Sequence, residues 1–168
     1  MELIHAQQIA TTLMQTYGLG DWTFRFNRGI RMHGQCIVCY ETVQHFRITG
    51  EVKVLGKCII ELSKHYVEGL EPTEENVLCM IDTIKHEIAH ALTPGHHHDH
   101  VFQAKCREIG CSSATSKKTN RKKPEYKWTT TCSHCNHTYG MYRKPKRNYG
   151  YSCSLCGTSL SPFEPVGK

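Results

Sequence analysis

The sequence contains no long hydrophobic run. No stretch approaches the ~20 apolar residues that a membrane-spanning helix needs, so we expect no membrane segment. The N-terminal residues Met1–His5 lack the charged segment and the long apolar run of a signal peptide, which favours an intracellular location. Aromatic residues make up only 9% and charged residues 21% of the 168 positions. This composition is typical of one globular domain, alone or with a small appended module, rather than of a disordered chain.

Acidic residues are scarce in one part of the chain. The formal net charge is +6, but the segment from Lys117 to Arg147 carries +9 and the remaining residues carry −3. Such asymmetry is typical of proteins with a polyanionic partner, most often nucleic acid, although a solvated linker has the same composition. The cations of this segment, which we predict to contact DNA with low sequence specificity, are Lys117, Lys118, Arg121, Lys122, Lys123, Lys127, Arg143, Lys144, Lys146 and Arg147.

Hydrophobic periodicity predicts an α+β fold with a small mixed sheet. A helix is expected over residues 2–17 and a strand over 22–26, with further strands at 36–40 and 58–62. Thr73 is suited to cap a helix that runs to Leu92, where Pro94-Gly95 ends it, and a second helix is expected over 99–109. We therefore expect a domain at 1–112, a basic flexible linker at 113–127 and a cysteine-framed unit at 128–168.

The segment from His86 to His90 matches H-E-x-x-H inside the helix with the strongest periodicity. Residues four apart on a helix lie about 40° apart around its axis, so both imidazoles can bind one ion. Glu87 then lies beside the metal without binding it, where it can take a proton from water and hand it to a leaving amine. Two histidines on an amphipathic helix would give the same motif by chance, but four more follow within ten residues.

A catalytic zinc usually has three protein ligands, and the sequence leaves the third one open. His98, four residues before Phe102, is the leading candidate. His96 fits the spacing of one metalloprotease class and Glu108 that of another, and His100 is the remaining alternative.

The stretch HEIAHAL, the histidine-rich loop after it and HDHVFQAKCREIG together resemble the SprT-like (Spartan-like) family of zinc metallopeptidases, which includes a DNA-dependent protease. The Trp22 strand and the segment Ile59–Ser63 resemble the strand region of that family, and many members end in a zinc ribbon. The resemblance implies that His86, His90 and His98 bind a catalytic zinc and that Glu87 is the catalytic acid/base. It also implies a protein substrate that is bound or crosslinked to DNA. Phe102 stands where relatives often carry tryptophan.

Two Cys-x-x-Cys pairs near the C-terminus predict a structural zinc site. Seventeen residues separate the pairs, a spacing suited to a four-cysteine ribbon, and a unit of this size has too little core to fold without such a cross-link. A redox function is the weaker interpretation, and His134 or His137 could replace a cysteine ligand. The predicted ligands are Cys132, Cys135, Cys153 and Cys156, so the chain is expected to bind two Zn²⁺ ions, one catalytic and one structural.

The other cysteines and the C-terminal aromatics have less specific patterns. Cys36-x-x-Cys39 has no partner pair nearby, so we expect it to contribute buried thiols, as we do for Cys58, Cys79, Cys106 and Cys111. Around the ribbon, aromatic residues interleave with cations, a pattern that favours stacking on unpaired bases, although some of these rings are needed as core and Trp128 is the best candidate for that. The aromatics concerned are Tyr126, Trp128, Tyr139, Tyr142, Tyr149 and Tyr151.

Three functional hypotheses follow. The leading one is a zinc metalloendopeptidase recruited to DNA by its ribbon and basic linker. The second is a non-enzymatic DNA-binding adaptor in which a fourth protein ligand closes the H-E-x-x-H zinc site. The third is a metal-sequestering protein that uses the histidine cluster.

Overall fold

The computed structural model describes residues 1–114 and 124–167. The chain divides into two compact units, one ending at residue 123 and the other beginning at 124, and each has its own hydrophobic cluster. Most of the predicted linker lies outside the described residues, as do five of its cations, Lys117, Lys118, Arg121, Lys122 and Lys123. Within the described residues, no helix has the length and apolar character needed to cross a membrane.

The first unit has five helices and three strands among its described residues. In chain order they are α1 (Leu3–Thr16), β1 (Thr23–Asn27), β2 (Gly34–Ile37), α2 (Tyr40–Thr49), β3 (Ile59–Ser63), α3 (Lys64–Gly69), α4 (Glu74–Leu92) and α5 (His100–Ile109). The α+β prediction is confirmed.

The sheet of the first unit is mixed, as expected, with strand order β1-β3-β2. Strand β1 runs parallel to β3, with Thr23 opposite Ile59, and β2 runs antiparallel to β3, with Cys36 opposite Ile60. All five residues of β3 are buried, including Glu61, whose carboxylate pairs with Arg25 and accepts a hydrogen bond from Asn27 on β1. Strand β2 is therefore an edge strand of this sheet, and it lies against helix α4.

Helix α4 forms where the sequence predicts it. The Thr73 side chain accepts a hydrogen bond from the Asn76 amide, and Glu74 and Glu75 follow in the first turn, where the helix dipole favours negative charge. Its apolar face is buried in the main core with α1, α3 and α5, and the H-E-x-x-H segment lies in its last two turns. The core thus fixes the helix that carries the motif.

The expectation for the segment after β1 is only partly correct. The predicted strand over 36–40 is displaced: β2 ends at Ile37, and Tyr40 already begins helix α2. Thr42 is fully buried on this helix, where its hydroxyl donates to the Lys53 carbonyl and accepts from the Leu55 amide. These bonds attach the irregular segment before β3 to α2, so a tertiary contact stabilises a helix whose β-branched residues favour a strand.

The expectation of buried thiols is only partly correct. Cys58 and Cys106 are buried, but Cys36, Cys39, Cys79 and Cys111 are partly exposed. Cys39 lies at the N-terminus of α2, with its Sγ 4.0 Å from that of Cys58. All ten cysteines of the chain are free thiols in the structure.

The second unit is built around two turns that carry the cysteine pairs. Its strands are β4 (Trp128–Thr131), β5 (Thr138–Met141) and β6 (Glu164–Pro165), in the order β5-β4-β6 with antiparallel pairing throughout. Its hydrophobic cluster consists of Cys132, Cys153 and Leu160, with Tyr139 and Tyr151 packed against them. Such a small core agrees with a need for metal binding.

Candidate functional site

Three imidazoles converge beside the end of helix α4. The Nε2 atom of His98 lies 3.1 Å from that of His86 and 3.2 Å from that of His90. A zinc ion bound tetrahedrally at about 2.0–2.1 Å to nitrogen holds its nitrogen ligands about 3.3 Å apart. The observed spacing therefore fits a three-histidine metal site, and among the described residues the group has no fourth donor.

Hydrogen bonding among the rings does not explain this convergence. His86 Nδ1 lies 2.9 Å from the Ser112 carbonyl oxygen, which can only accept, so the ring proton is on Nδ1 and Nε2 presents its lone pair to the other two histidines. One proton on His98 Nε2 cannot point at both neighbouring nitrogens. A cation at the centre satisfies all three lone pairs at once, so the donor set fits a metal such as zinc.

Burial keeps two of these rings in the neutral form that binds metals. It lowers the pKa of His90 to about 4, with His86 and His98 adding to the shift and a backbone hydrogen bond with His96 opposing it. Burial also lowers the pKa of His98, and His86 and His97 contribute to the same shift. Burial therefore weakens the competition between a proton and a metal ion at these two rings.

The loop after α4 brings His98 back to the helix. Gly95 has φ +86°, and a Cβ at this position would lie 2.9 Å from a methyl carbon of Val43 on α2, so the turn requires glycine on both counts. His98 itself adopts the left-handed conformation with φ +48°. Asp99 then caps α5 by accepting from the Val101 and Phe102 amides. These turns position the His98 imidazole, which sequence spacing alone cannot establish.

The structure separates the other third-ligand candidates from the group. His96 Nδ1 pairs with Asp99 Oδ2 at 2.7 Å, and Glu108 is exposed and pairs with Lys105. His100 is exposed at the start of α5. Only His98 joins His86 and His90 among the described residues.

Phe102 is the common neighbour of the three histidines. Its ring is fully buried and stacks on His90, with centroids 4.1 Å apart and planes 24° apart. The centroids of His86 and His98 lie 5.0 and 4.8 Å from it, in edge-to-face geometry. Contact with this ring restricts the orientation of all three imidazoles.

Glu87 is buried between the motif helix and strand β2. A Cβ at position 34 would lie 2.8 Å from Glu87 Oε1, so the absence of a side chain at Gly34 leaves the space for this carboxyl group. Burial raises the pKa of Glu87 to about 8, and a hydrogen bond with the backbone of Cys36 opposes the shift. A cation bound by the adjacent imidazoles would lower that pKa again, because it stabilises the carboxylate.

These groups lie in a cleft of about 770 Å³. Strand β2 and the residues before it form one wall, α4 and the loop at 95–98 form another, and Val43 and Arg47 of α2 contribute to the rim. The cleft is large enough for several residues of a peptide. The metal group and Glu87 are thus accessible from one continuous cavity.

The second candidate metal site holds the four predicted cysteines. Cys132 Sγ lies 3.6 Å from Cys156 Sγ, and Cys135 Sγ lies 3.5 Å from Cys153 Sγ. Zinc bound at about 2.3 Å to each sulfur holds the sulfurs about 3.8 Å apart, so the spacing fits a tetrahedral site. His134 and His137 are exposed and do not join the group.

The two cysteine turns are built alike. Asn136 and Gly157, each directly after the second cysteine of its pair, have φ +58° and +75° and donate their amides to the carbonyls of Cys132 and Cys153. The Tyr139 hydroxyl lowers the pKa of Cys153 to about 5, and backbone amides of Cys135 and His134 lower that of Cys132. The turns therefore favour the thiolate form of Cys132 and Cys153. A backbone hydrogen bond with His137 acts in the same direction on Cys135, but hydrogen bonds with the neighbouring thiols, first that of Cys153, outweigh it and raise the pKa of Cys135 to about 12.

The aromatic residues of the second unit lie in two different environments. Tyr139 and Tyr151 pack on the cysteine cluster, whereas Trp128, which we expected to do so, is half-buried outside it with Lys144 Nζ 5.7 Å from its ring centroid. Tyr126 and Tyr149 are exposed, and Tyr126 contacts Tyr142. The described cations predicted to contact DNA are all exposed, namely Lys127, Arg143, Lys144, Lys146 and Arg147.

Several residues of the site are not identified by motif reasoning. Gly34 and Arg47 line the cleft because the sheet and α2 pack near α4, although both are distant from the motif in sequence. Asp82 accepts a hydrogen bond from the Ser112 amide, and the Ser112 carbonyl in turn accepts one from His86. Asp82 is four residues before His86, which is a usable signal because residues at that spacing share a helix face.

Compared with protein-family models, curated proteins and solved structures, the chain gives no match in any of the three.

Proposed function

We propose that the first unit is a zinc-dependent endopeptidase of SprT-like type. The observation that carries the proposal is the convergence of the Nε2 atoms of His86 and His90 on that of His98, at 3.1 and 3.2 Å, with the Glu87 carboxyl group beside them in an open cleft. Three protein ligands leave the fourth position for water or substrate, as in catalytic zinc sites. A closed site would need a fourth protein donor.

In this proposal Glu87 is the catalytic residue that moves the proton. Zinc bound by the three imidazoles would supply a Lewis acid for the scissile carbonyl and make water acidic enough to react near neutral pH. Glu87 accepts the proton of the attacking water and delivers it to the amide nitrogen as that nitrogen leaves. Its burial against Gly34 holds it on one side of the metal group, and Ser112 and Phe102 keep the imidazoles oriented.

Strand β2 supports a peptide as substrate. Its outer edge belongs to the terminal strand of the sheet and borders the cleft, so an extended substrate segment can pair with it by main-chain hydrogen bonds. Glu87 hydrogen-bonds the backbone of Cys36 on the same strand. A peptide that pairs along β2 would therefore pass directly beside the Glu87 carboxyl group.

We further propose that the second unit is a zinc ribbon that binds DNA with low sequence specificity. The exposed cations and the exposed rings of Tyr126 and Tyr149 support contact with phosphates and unpaired bases. The substrate would then be a protein bound or crosslinked to DNA. An intracellular location is part of the same proposal, because free thiols in all ten cysteines suit a reducing compartment.

The experiment that tests the peptidase is the Glu87→Gln variant, compared with wild type for zinc content and for cleavage of an unfolded protein substrate. We expect Glu87→Gln to retain both zinc ions and to lose proteolysis. Equal proteolysis by the variant would refute the role of Glu87. No proteolysis by zinc-loaded wild type, with or without single-stranded DNA, would favour the adaptor hypothesis.

A further inference from the structure

The cleft is lined by cations although the unit that contains it is not basic. Residues 1–114 contain 10 Lys and Arg and 13 Asp and Glu, a net negative balance. The cleft nevertheless includes Arg31 and Arg47, and Glu87 is the one carboxylate among the described residues that line it. Arg31 and Arg47 are exposed whereas Glu87 is mostly buried, so the exposed charges that line the cleft are positive.

Both guanidinium groups are exposed and available for a ligand. The ion pairs among the described residues include Arg25 with Glu61 but none with Arg31 or Arg47. Arg47 is held beside the loop that carries His98, because its Nε and Nη2 atoms lie 3.6 Å from the Cβ position of Gly95. An unpaired cation next to a binding site raises the local concentration of anionic ligands and selects them.

The two arginines flank strand β2 in the chain. Arg31 precedes the strand, and Arg47 stands on α2, which follows it, yet both line the same cavity. A peptide bound in this cavity can therefore present side chains to both cations. The backbone edge of β2, which lines the same cavity, favours a peptide over a nucleic acid as the occupant, since it offers backbone hydrogen bonds that a nucleic acid cannot match.

We propose that this cleft selects acidic peptide segments, with Arg31 and Arg47 binding Asp or Glu side chains of the substrate. The proposal rests on the peptidase function proposed above and adds its substrate class. Arg31 and Arg47 are specificity-determining residues in it, and they take no part in the proton transfer.

The test measures binding separately from cleavage. The probes are fluorescein-labelled octapeptides of one sequence that carry two Glu, two Gln or two Lys at matched positions, and the protein is the zinc-loaded full chain with Glu87→Gln. An exposed charge pair contributes up to about 1 kcal/mol, so we expect the Glu peptide to bind up to about fivefold more tightly per arginine than the Gln peptide. The preference should weaken as salt is raised.

Charge-reversal variants test whether Arg31 and Arg47 cause the preference for the Glu peptide. Adding Arg47→Glu or Arg31→Glu alone should abolish the preference for the Glu peptide, and the two reversals together should favour the Lys peptide. Arg107→Glu, an exposed cation on α5 outside the cleft, is the matched control and should leave the preference unchanged. Zinc content and circular dichroism show that each variant is folded.

The experiment distinguishes an error in the proposed acidic selectivity from an error in the proposed peptidase function. Equal binding of the Glu and Gln peptides, or a preference that survives both reversals, overturns the acidic selectivity even if wild type cleaves protein. A preference that reverses in the variants supports the selectivity even if wild type cleaves nothing. If the reversals instead weaken binding of a single-stranded oligonucleotide and leave peptide binding unchanged, the cleft binds nucleic acid and the proposal is wrong.

Discussion

Gly34 and Glu87 are in direct contact across the boundary between β2 and α4, so that a Cβ at position 34 would lie 2.8 Å from Glu87 Oε1 and 2.9 Å from Glu87 Cγ. The two residues are distant in sequence and meet because β2 pairs with β3 and lies against the motif helix. The position of the proposed catalytic carboxyl group therefore depends on the absence of a side chain on the neighbouring strand.

A single added methyl group at this contact is expected to impair catalysis selectively. In Gly34→Ala the new Cβ must displace Glu87, since the nearest atoms include the Cγ close to the helix backbone. We expect at least a tenfold loss of peptide hydrolysis, because misplacement of a catalytic group by about 1 Å can cost 10²-fold, with zinc retained. Gly20→Ala, where a Cβ meets nothing within 4 Å, is the control. Full activity in Gly34→Ala would mean that Glu87 tolerates displacement or does not act.

Phe102 is expected to tune zinc binding through the three imidazoles. Phe102→Leu keeps a buried apolar side chain but removes the ring that stacks on His90, so we expect weaker zinc binding in a protein that still folds. Competition with a chelator measures the affinity. Phe46→Leu is the matched control, because Phe46 contacts His96, which is not in the metal group. Equal affinities in the two variants would contradict the role of Phe102.

How far the sequence predicts this structure depends on the range of the interactions involved. Helix α4 could be predicted because its cap, its acidic first turn and its apolar period all favour the same element. Helix α2 could not, because its stability comes from bonds between Thr42 and a segment more than ten residues away. Gly50 ends α2 with φ +74°, but a glycine at this position is equally typical of a turn between two strands and does not by itself predict a helix.

In the candidate site, too, local patterns predict some residues, and contacts between distant parts of the chain determine the others. His86, Glu87 and His90 follow from one motif on one helix, and the four cysteines follow from their spacing. His98 could not be separated from His96 and His100 by counting, since the choice depends on left-handed backbone at Gly95 and His98. Arg31, Gly34 and Arg47 reach the cleft through the arrangement of sheet and helices, which no local pattern records.

Asp82 is expected to act as a positioning residue for His86. It accepts a hydrogen bond from the Ser112 amide at 2.9 Å, and the Ser112 carbonyl in turn accepts from His86 Nδ1. Asp82→Ala should release this backbone segment and lower the zinc affinity of the first unit about 10- to 100-fold, as loss of such supporting bonds typically does. Asp21→Ala, at an exposed position, is the control for loss of one acid. Unchanged zinc affinity in Asp82→Ala would show that Ser112 is held by other contacts.

The second unit should depend on its metal for folding. Cys132 is fully buried in a cluster with only two other buried residues, so Cys132→Ser removes a zinc ligand from a unit with little core to replace it. We expect an added protease to cleave this variant within residues 124–168 only. We also expect the loss of one zinc ion and of DNA binding by the ribbon. Ser154→Ala, beside the same cluster, should retain the zinc. Resistance of Cys132→Ser to proteolysis would contradict a structural metal.

The most direct test of the account is zinc stoichiometry by elemental analysis of wild type, His98→Ala and His96→Ala. We expect two zinc ions in wild type, one in His98→Ala and two in His96→Ala, because His98 Nε2 faces His86 and His90 whereas His96 pairs with Asp99. Two zinc ions in His98→Ala, or the loss of one only in His96→Ala, would contradict the three-histidine centre on which the proposed function depends.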